Sequence, residues 1–359
     1  MTTLLVTGGA GFIGSKVVDA ALERGWRVRL LDSFRADVHG EAPAALAEHP
    51  DLEVVAGDVG DAAVIGPLLR GVDVVCHQAA KVGLGVGMSD APDYVASNDL
   101  ATAVLLSAMA EQGVGRLVLA SSMVVYGEGR YRDETGDVEV PPRRTVDLEA
   151  CRFEPISPRT GHPLTALLIT ETARLDPRNV YAASKVAQEH LAASWARSCG
   201  GRAAMLRYHN VYGPGMPTGT PYAGVAAIFR TALAEGRAPR VFEDGGQRRD
   251  FVHVRDVAAA NLAAVGWTST SEPGAVRPFN VGSGEVRTIG EMARALSAAV
   301  GGPEPVVTGE YRLGDVRHIT ASSDRLRTET DWTPQVTFAA GMSELATAPM
   351  RPAATGQAR

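Results

Sequence analysis

The chain has 359 residues, 45% hydrophobic and 21% charged, with a formal net charge of −6 that is not gathered into blocks; this fits one large or two interleaved globular domains and argues against a nucleic-acid partner, which needs a basic face. Cys76, Cys151 and Cys199 are too few for a disulfide framework or a zinc quartet. No apolar run approaches the ~18 residues that span a bilayer, and no charged leader precedes the first apolar run, so a cytoplasmic protein without membrane contacts is expected.

Leu4-Leu5-Val6-Thr7 reads as a buried strand, after which Gly8, Gly11 and Gly14 open a helix beginning near Ser15. Gly8 permits the sharp turn, Gly11 lets a pyrophosphate approach the backbone, and Gly14 lets the helix pack closely on its strand. Free amide N–H groups at that helix N-terminus then face the phosphate charge. The next apolar run, Val28 to Leu31, ends in Asp32, where an acid accepts hydrogen bonds from the adenosine ribose. Asp32 favours NAD, since it repels a 2′-phosphate; Arg35, three residues on, works the other way.

Residues 36 to 50 read as a loop or short helix, Leu52 to Val55 as a strand followed by Gly57-Asp58-Val59, Ala62 to Leu69 as a helix, and Val72 to Cys76 as a strand. Asp58 stands at a strand end, facing an adenine ring or serving a turn. His77-Gln78-Ala79-Ala80 leads into Gly83, Gly85 and Gly87, then a helix from about Pro92 to Gln112. The strand Leu117 to Ala120 delivers Ser121-Ser122-Met123 to the carboxyl edge of the sheet, where ligands of open α/β folds bind. The segment 128–178 is a long insert with one helix expected at Leu164 to Leu175; Cys151 and His162 within it lack the partners of a zinc site, and no metal is expected.

Tyr181-Ala182-Ala183-Ser184-Lys185 begins a helix running to about Arg197, and Ala203 to Tyr208 is the next strand. The alternation indicates an α/β fold, a Rossmann-type doubly wound parallel sheet with a smaller interleaved C-terminal substrate-binding region. The expected division is a dinucleotide-binding domain over 1–205, a substrate-binding region over 206–346, and a flexible tail over 347–359. The substrate region is expected to return to the main sheet around Arg249 to Val265 and Phe279 to Val281.

Tyr181 and Lys185, four apart, project from one helix face. A phenol of pKa near 10 is a poor base, and a nearby ammonium lowers that value. Lysines occur only at positions 16, 81 and 185, so a lysine at this spacing is noteworthy. Ser122 is placed to hold the same substrate hydroxyl that Tyr181 deprotonates.

Together, Thr7-Gly8-Gly9-Ala10-Gly11-Phe12-Ile13-Gly14, Ser121-Ser122, Tyr181 to Lys185, Leu206 to Pro214, Arg248 to Val254 and Arg312 to Asp315 resemble the extended short-chain dehydrogenase/reductase superfamily over about residues 3 to 345. The likeness is to its NAD-dependent nucleotide-sugar epimerases and dehydratases, above all 4-epimerases of dTDP-L-rhamnose and related deoxysugars. That resemblance implies NAD held by Gly8, Gly11, Phe12, Ile13, Gly14, Asp32, Asp58, Val59, Ala79, Lys81, Tyr181 and Lys185, although Lys81 departs from the usual spacing after His77. It implies substrate contacts from Ser122, Met123, Asn210, Arg249 and Arg312, the arginines clamping a diphosphate, and a homodimer joined through the helices near 92–112 and 181–197. The 4,6-dehydratases carry an acid pair where Met123 and Val124 stand, so dehydration is not expected. Relatives with a similar insert tend to carry cysteine pairs there; Asp133 and Ser157 stand at comparable places. The expected activity is 4-epimerisation of a dTDP- or UDP-hexose through a transient 4-keto sugar, with a 4-ketoreductase, a UDP-glucuronate decarboxylase and a non-catalytic cofactor sensor as alternatives.

Overall fold

A computed structural model describes residues 1–39, 48–83, 87–218 and 224–351. Gly85 and the part of the expected tail from 352, both named above, lie outside the described residues.

Seven parallel strands form the main sheet: β1 (Thr3–Thr7), β2 (Arg27–Asp32), β3 (Leu52–Ala56), β4 (Val74–His77), β5 (Arg116–Ser122), β6 (Arg202–Tyr208) and β7 (Val276–Val281), in the spatial order β7-β6-β5-β4-β1-β2-β3. Strand order reverses between β1 and β4, which opens a crevice at their carboxyl ends. One face is covered by α1 (Phe12–Glu23) and α5 (Val254–Thr270), the other by α2 (Ala62–Leu68), α3 (Ala101–Gln112) and α4 (Val180–Cys199). Leu4, Val6 and Val28 turn to the first face, while Leu5, Leu31 and Leu117 turn to the second. With both faces buried, these strands read as continuous apolar runs, and side-chain alternation divides the core into two layers.

The expected helix at Leu164 to Leu175 is absent. Thr165–Leu167 is a strand paired with Arg130–Asp133, which also pairs with Gly136–Val138, so the insert contains a three-stranded antiparallel sheet. Thr165, Ile169, Thr170 and Thr172 are β-branched and suit an extended backbone, and Ile169 bonds Thr320 and Ser322 instead of a helical partner. At the places compared with cysteine pairs, the Ser157 hydroxyl donates to Asp133 at 2.7 Å, and Arg159 pairs with the same carboxylate. Among the described residues no three His, Cys, Asp or Glu side chains gather as a metal site, and no helix is long and apolar enough to cross a membrane.

The two expected returns to the sheet differ in kind. Val276–Val281 joins its edge as β7, but Arg248–His253 pairs with Asn210–Tyr212 and Val286–Thr288 in a separate sheet, and only α5 after it packs on the main one. Within the expected tail, residues 349–351 are bonded to the fold: Arg351 bonds Met216 and Thr218, and Gly215 donates to the Pro349 carbonyl.

Candidate active site

At the crevice, Gly8 adopts φ +66°, and a Cβ there would come within 2.6 Å of the Ala79 amide nitrogen. A Cβ on Gly14 would run into the Gly8 carbonyl oxygen. α1 begins at Phe12, three residues before the expected start, because Gly11 is its N-cap and offers no side chain to its first amides. This glycine cradle with open N–H groups fits a dinucleotide pyrophosphate. Gly14→Ala is therefore expected to weaken NAD binding on the order of ten- to a hundredfold, from an overpacking cost of about 1–3 kcal/mol. Calorimetric titration checks it against Gly66→Ala in α2, where no other group lies within 4 Å of the added methyl.

Asp32 is buried at the end of β2 and accepts from the Ala10 amide at 3.0 Å and the Phe34 amide at 2.9 Å. Burial pushes its carboxyl up, but His39 at 3.1 Å and the two amides hold it below the usual carboxylate range. Arg35 pairs with Asp93, which also pairs with Lys81. Arg351, half-buried, feels the Asp32 charge, a neighbour that no spacing in the sequence revealed.

Other cofactor candidates fall in different surroundings. Asp58 is exposed and accepts from the Gly60 amide at 2.7 Å in a turn, while Val59 is buried in the core with Leu31 and Ala101. Phe12 packs against the cluster containing Tyr212 and Met216, and Ile13 against the α1–α5 core. Ala79 donates to the Thr7 hydroxyl at 3.3 Å.

The candidate catalytic residues meet at the N-terminal end of α4. Asn179 caps that helix by accepting from Ala182 at 2.8 Å, which fixes Tyr181 in its first turn. Ser122, at the end of β5, accepts from the Val124 amide at 3.4 Å and is near enough to the Tyr181 phenol to act on its acidity. Lys185 is buried, donates to the Ala120 carbonyl at 2.9 Å, and places Nζ 6.0 Å from the Tyr181 ring centroid. The expected depression of the phenol pKa by Lys185 is not seen here: burial pushes the phenol up to about 12, and Ser122 nearby pulls only partly the other way. Burial pulls Lys185 down to about 7, against the charges of Glu189 and Asp99.

Several supporting residues escaped the sequence reading. Asn98 lies in a π-helical stretch, Val95–Leu100; it accepts from the Lys81 amide at 2.8 Å and donates to Ser184 at 2.9 Å, joining the exit of β4 to the tyrosine helix. Glu189 continues the Tyr181, Lys185 spacing by four and accepts from Ser121 at 2.5 Å.

The candidate phosphate groups lie beyond. Asn210 Oδ1 is buried without a hydrogen-bond partner among the described residues. Arg249 donates to the carbonyls of Arg248, Val316 and Arg317, so its guanidinium fastens the 316–317 backbone as well as carrying charge. Arg312 is exposed and stacks over Phe242 at 5.2 Å. Arg249, Arg312 and Arg143 all act on Asp315, whose carboxyl burial nonetheless pushes up. Arg143 comes from the insert, a contribution that its proline-rich context concealed.

The sequence profile of the NAD dependent epimerase/dehydratase family matches residues 4–147 and 159–282. A dTDP-L-rhamnose 4-epimerase of Burkholderia thailandensis is 34% identical over 351 residues, covering 96% of this chain and 94% of the relative. The UDP-N-acetylglucosamine 4-epimerase of Methanobrevibacter ruminantium, solved with UDP-N-acetylmuramic acid, has a TM-score of 0.77 at 26% identity, covering 96% of this chain and 97% of that one. The Thermus thermophilus UDP-glucose 4-epimerase, solved with NAD, has a TM-score of 0.74 at 29% identity over 96% and 98%. The chain belongs to the NAD dependent epimerase/dehydratase family, and NAD is its cofactor.

Proposed function

We propose that the chain is a nucleotide-sugar 4-epimerase acting on a dTDP- or UDP-hexose, a deoxyhexose such as L-rhamnose being the first candidate. The observation that carries this is the meeting of Tyr181, Ser122 and Lys185 at the carboxyl edge, with Met123 and Val124 beside them carrying no proton-transferring group. Dehydration at C5 and C6 needs such a group.

Tyr181 takes the proton of the sugar 4-hydroxyl while Ser122 holds the oxygen, and Lys185 supports the negative charge on the phenol oxygen. When bound, NAD supplies the hydride acceptor and donor and a cationic ring beside the pair. Tyr181 returns the proton after the 4-keto sugar has turned over between Asn210, Arg249 and Arg312, its diphosphate anchors. The Burkholderia relative supports the deoxyhexose choice.

The test is a panel of dTDP- and UDP-sugars carrying deuterium at C4, followed by NMR. Deuterium retained at C4 of the inverted product is expected; loss to water overturns the reading, and stoichiometric loss of reduced cofactor with a 4-keto sugar points instead to a ketoreductase.

The working unit is a cytoplasmic homodimer joined through the helices near Val95 and α4. Val95 and Leu100 are 48% and 59% exposed, whereas Leu105 and Met109 of the same expected face are turned into the core. Light scattering at micromolar concentration is expected to give twice the chain mass of 37.7 kDa; a single-chain mass counts against it.

A further inference from the structure

His209 stands one residue beyond the last paired residues of β5 and β6, Ser122 and Tyr208. Its backbone N–H donates to the Val281 carbonyl at 3.0 Å. The residue is 4% exposed, and neither Nδ1 nor Nε2 has a hydrogen-bond partner among the described residues. Buried polar atoms rarely remain unpaired, and here both polar atoms of one ring do. Such a ring is equipped to meet a ligand.

Its surroundings indicate which one. Alternation along β6 sends Arg207 to Glu189 of α4 and Tyr208 to Asn261 of α5, and His209, the next residue, has the parity of Arg207. Asn210 follows it, its Oδ1 also buried and unpartnered, and the charge of Arg249 reaches the imidazole. Burial and Arg249 hold the ring down to about 3, so at neutral pH one nitrogen donates and the other accepts. His209 stands between Tyr208, the register partner of Ser122, and Asn210; the epimerase reading puts the sugar carbinol at Ser122 and the diphosphate at Asn210.

We propose that His209 is a sugar-binding residue, its neutral imidazole donating to one hexose hydroxyl and accepting from another, and that it selects the sugar without moving a proton in the reaction. This rests on the epimerase reading above. The residue distinguishes hexoses by the hydroxyls they offer, because a site built around hydrogen bonds rejects a sugar that leaves its polar atoms unpaired.

The experiment compares His209→Phe and His209→Gln with the wild type by calorimetry, using dTDP-L-rhamnose and UDP-glucose against dTDP and UDP alone, all on the NAD-loaded protein. His209→Phe is expected to weaken the bound nucleotide sugar roughly tenfold or more while leaving the nucleoside diphosphate within twofold. His209→Gln, a neutral donor and acceptor, restores most of the sugar affinity and keeps the wild-type pH profile. Equal binding of the sugar nucleotide by His209→Phe overturns the proposal, as does equal weakening of sugar nucleotide and nucleoside diphosphate. Tyr181→Phe serves as the control that binds without turnover. A wild type that binds but epimerises nothing sinks the epimerase reading, whereas the affinity ratios judge His209 independently.

Discussion

Tyr181→Phe is expected to lower kcat by roughly 10²- to 10⁴-fold, the range a positioned general base contributes, while the nucleotide sugar still binds. The substitution removes one oxygen from a ring already packed between α4 and Tyr94, at a centroid distance of 6.1 Å, so the fold has no reason to change. The wild-type pH profile gives a second readout. Burial lifts the phenol to about 12 and pulls Lys185 down to about 7, so between these values the pair holds one proton and below about 7 it holds two. Only the one-proton pair can accept another from a sugar hydroxyl. The rate kcat/KM therefore rises as pH passes upward through about 7 and then levels. Undiminished turnover by Tyr181→Phe, or a profile falling through that range, overturns the assignment of the base.

Parts of this site were legible because local chemistry demands particular residues at short spacings. Gly8, Gly11 and Gly14 answer to backbone approach, Asp32 to a strand end, and Tyr181 and Lys185 to one helix face. The environment of those groups was not legible. Spacing puts an ammonium near a phenol, but how deeply both are buried depends on strands and helices far away in sequence, and burial decided the direction of both shifts. Thr165–Leu167 illustrates the same limit: Leu164 to Leu175 has enough apolar residues for a helix, and its partners Arg130 and Ala321 are distant in the chain. Arg249 looked like a clamp and is bonded to three carbonyls; His209 looked like part of a strand end and its ring has no hydrogen-bond partner among the described residues.

Arg207→Met should cost about 3–5 kcal/mol of stability, read as a lower urea midpoint, because it strands a buried carboxylate. Arg207 and Glu189 are each 4% exposed at the side chain; the guanidinium donates to both carboxylate oxygens, at 2.9 and 2.6 Å, and also to the Tyr126 hydroxyl and the Glu171 carbonyl. Removing the arginine leaves Glu189 with Ser121 and with the charge of Lys185, and neither replaces a bidentate fork. The double variant Arg207→Met, Glu189→Leu removes both charges and should recover most of the loss. The two proteins also separate in their pH profiles. In Arg207→Met the unneutralised Glu189 acts more strongly on Lys185 and raises its pKa, so the limb near pH 7 moves to higher pH. In the double variant Lys185 loses that anion, its pKa falls, and the limb moves to lower pH. Shifts of the same sign in both would mean that Glu189 sets the shape of the helix and not the proton affinity of the lysine one turn above it.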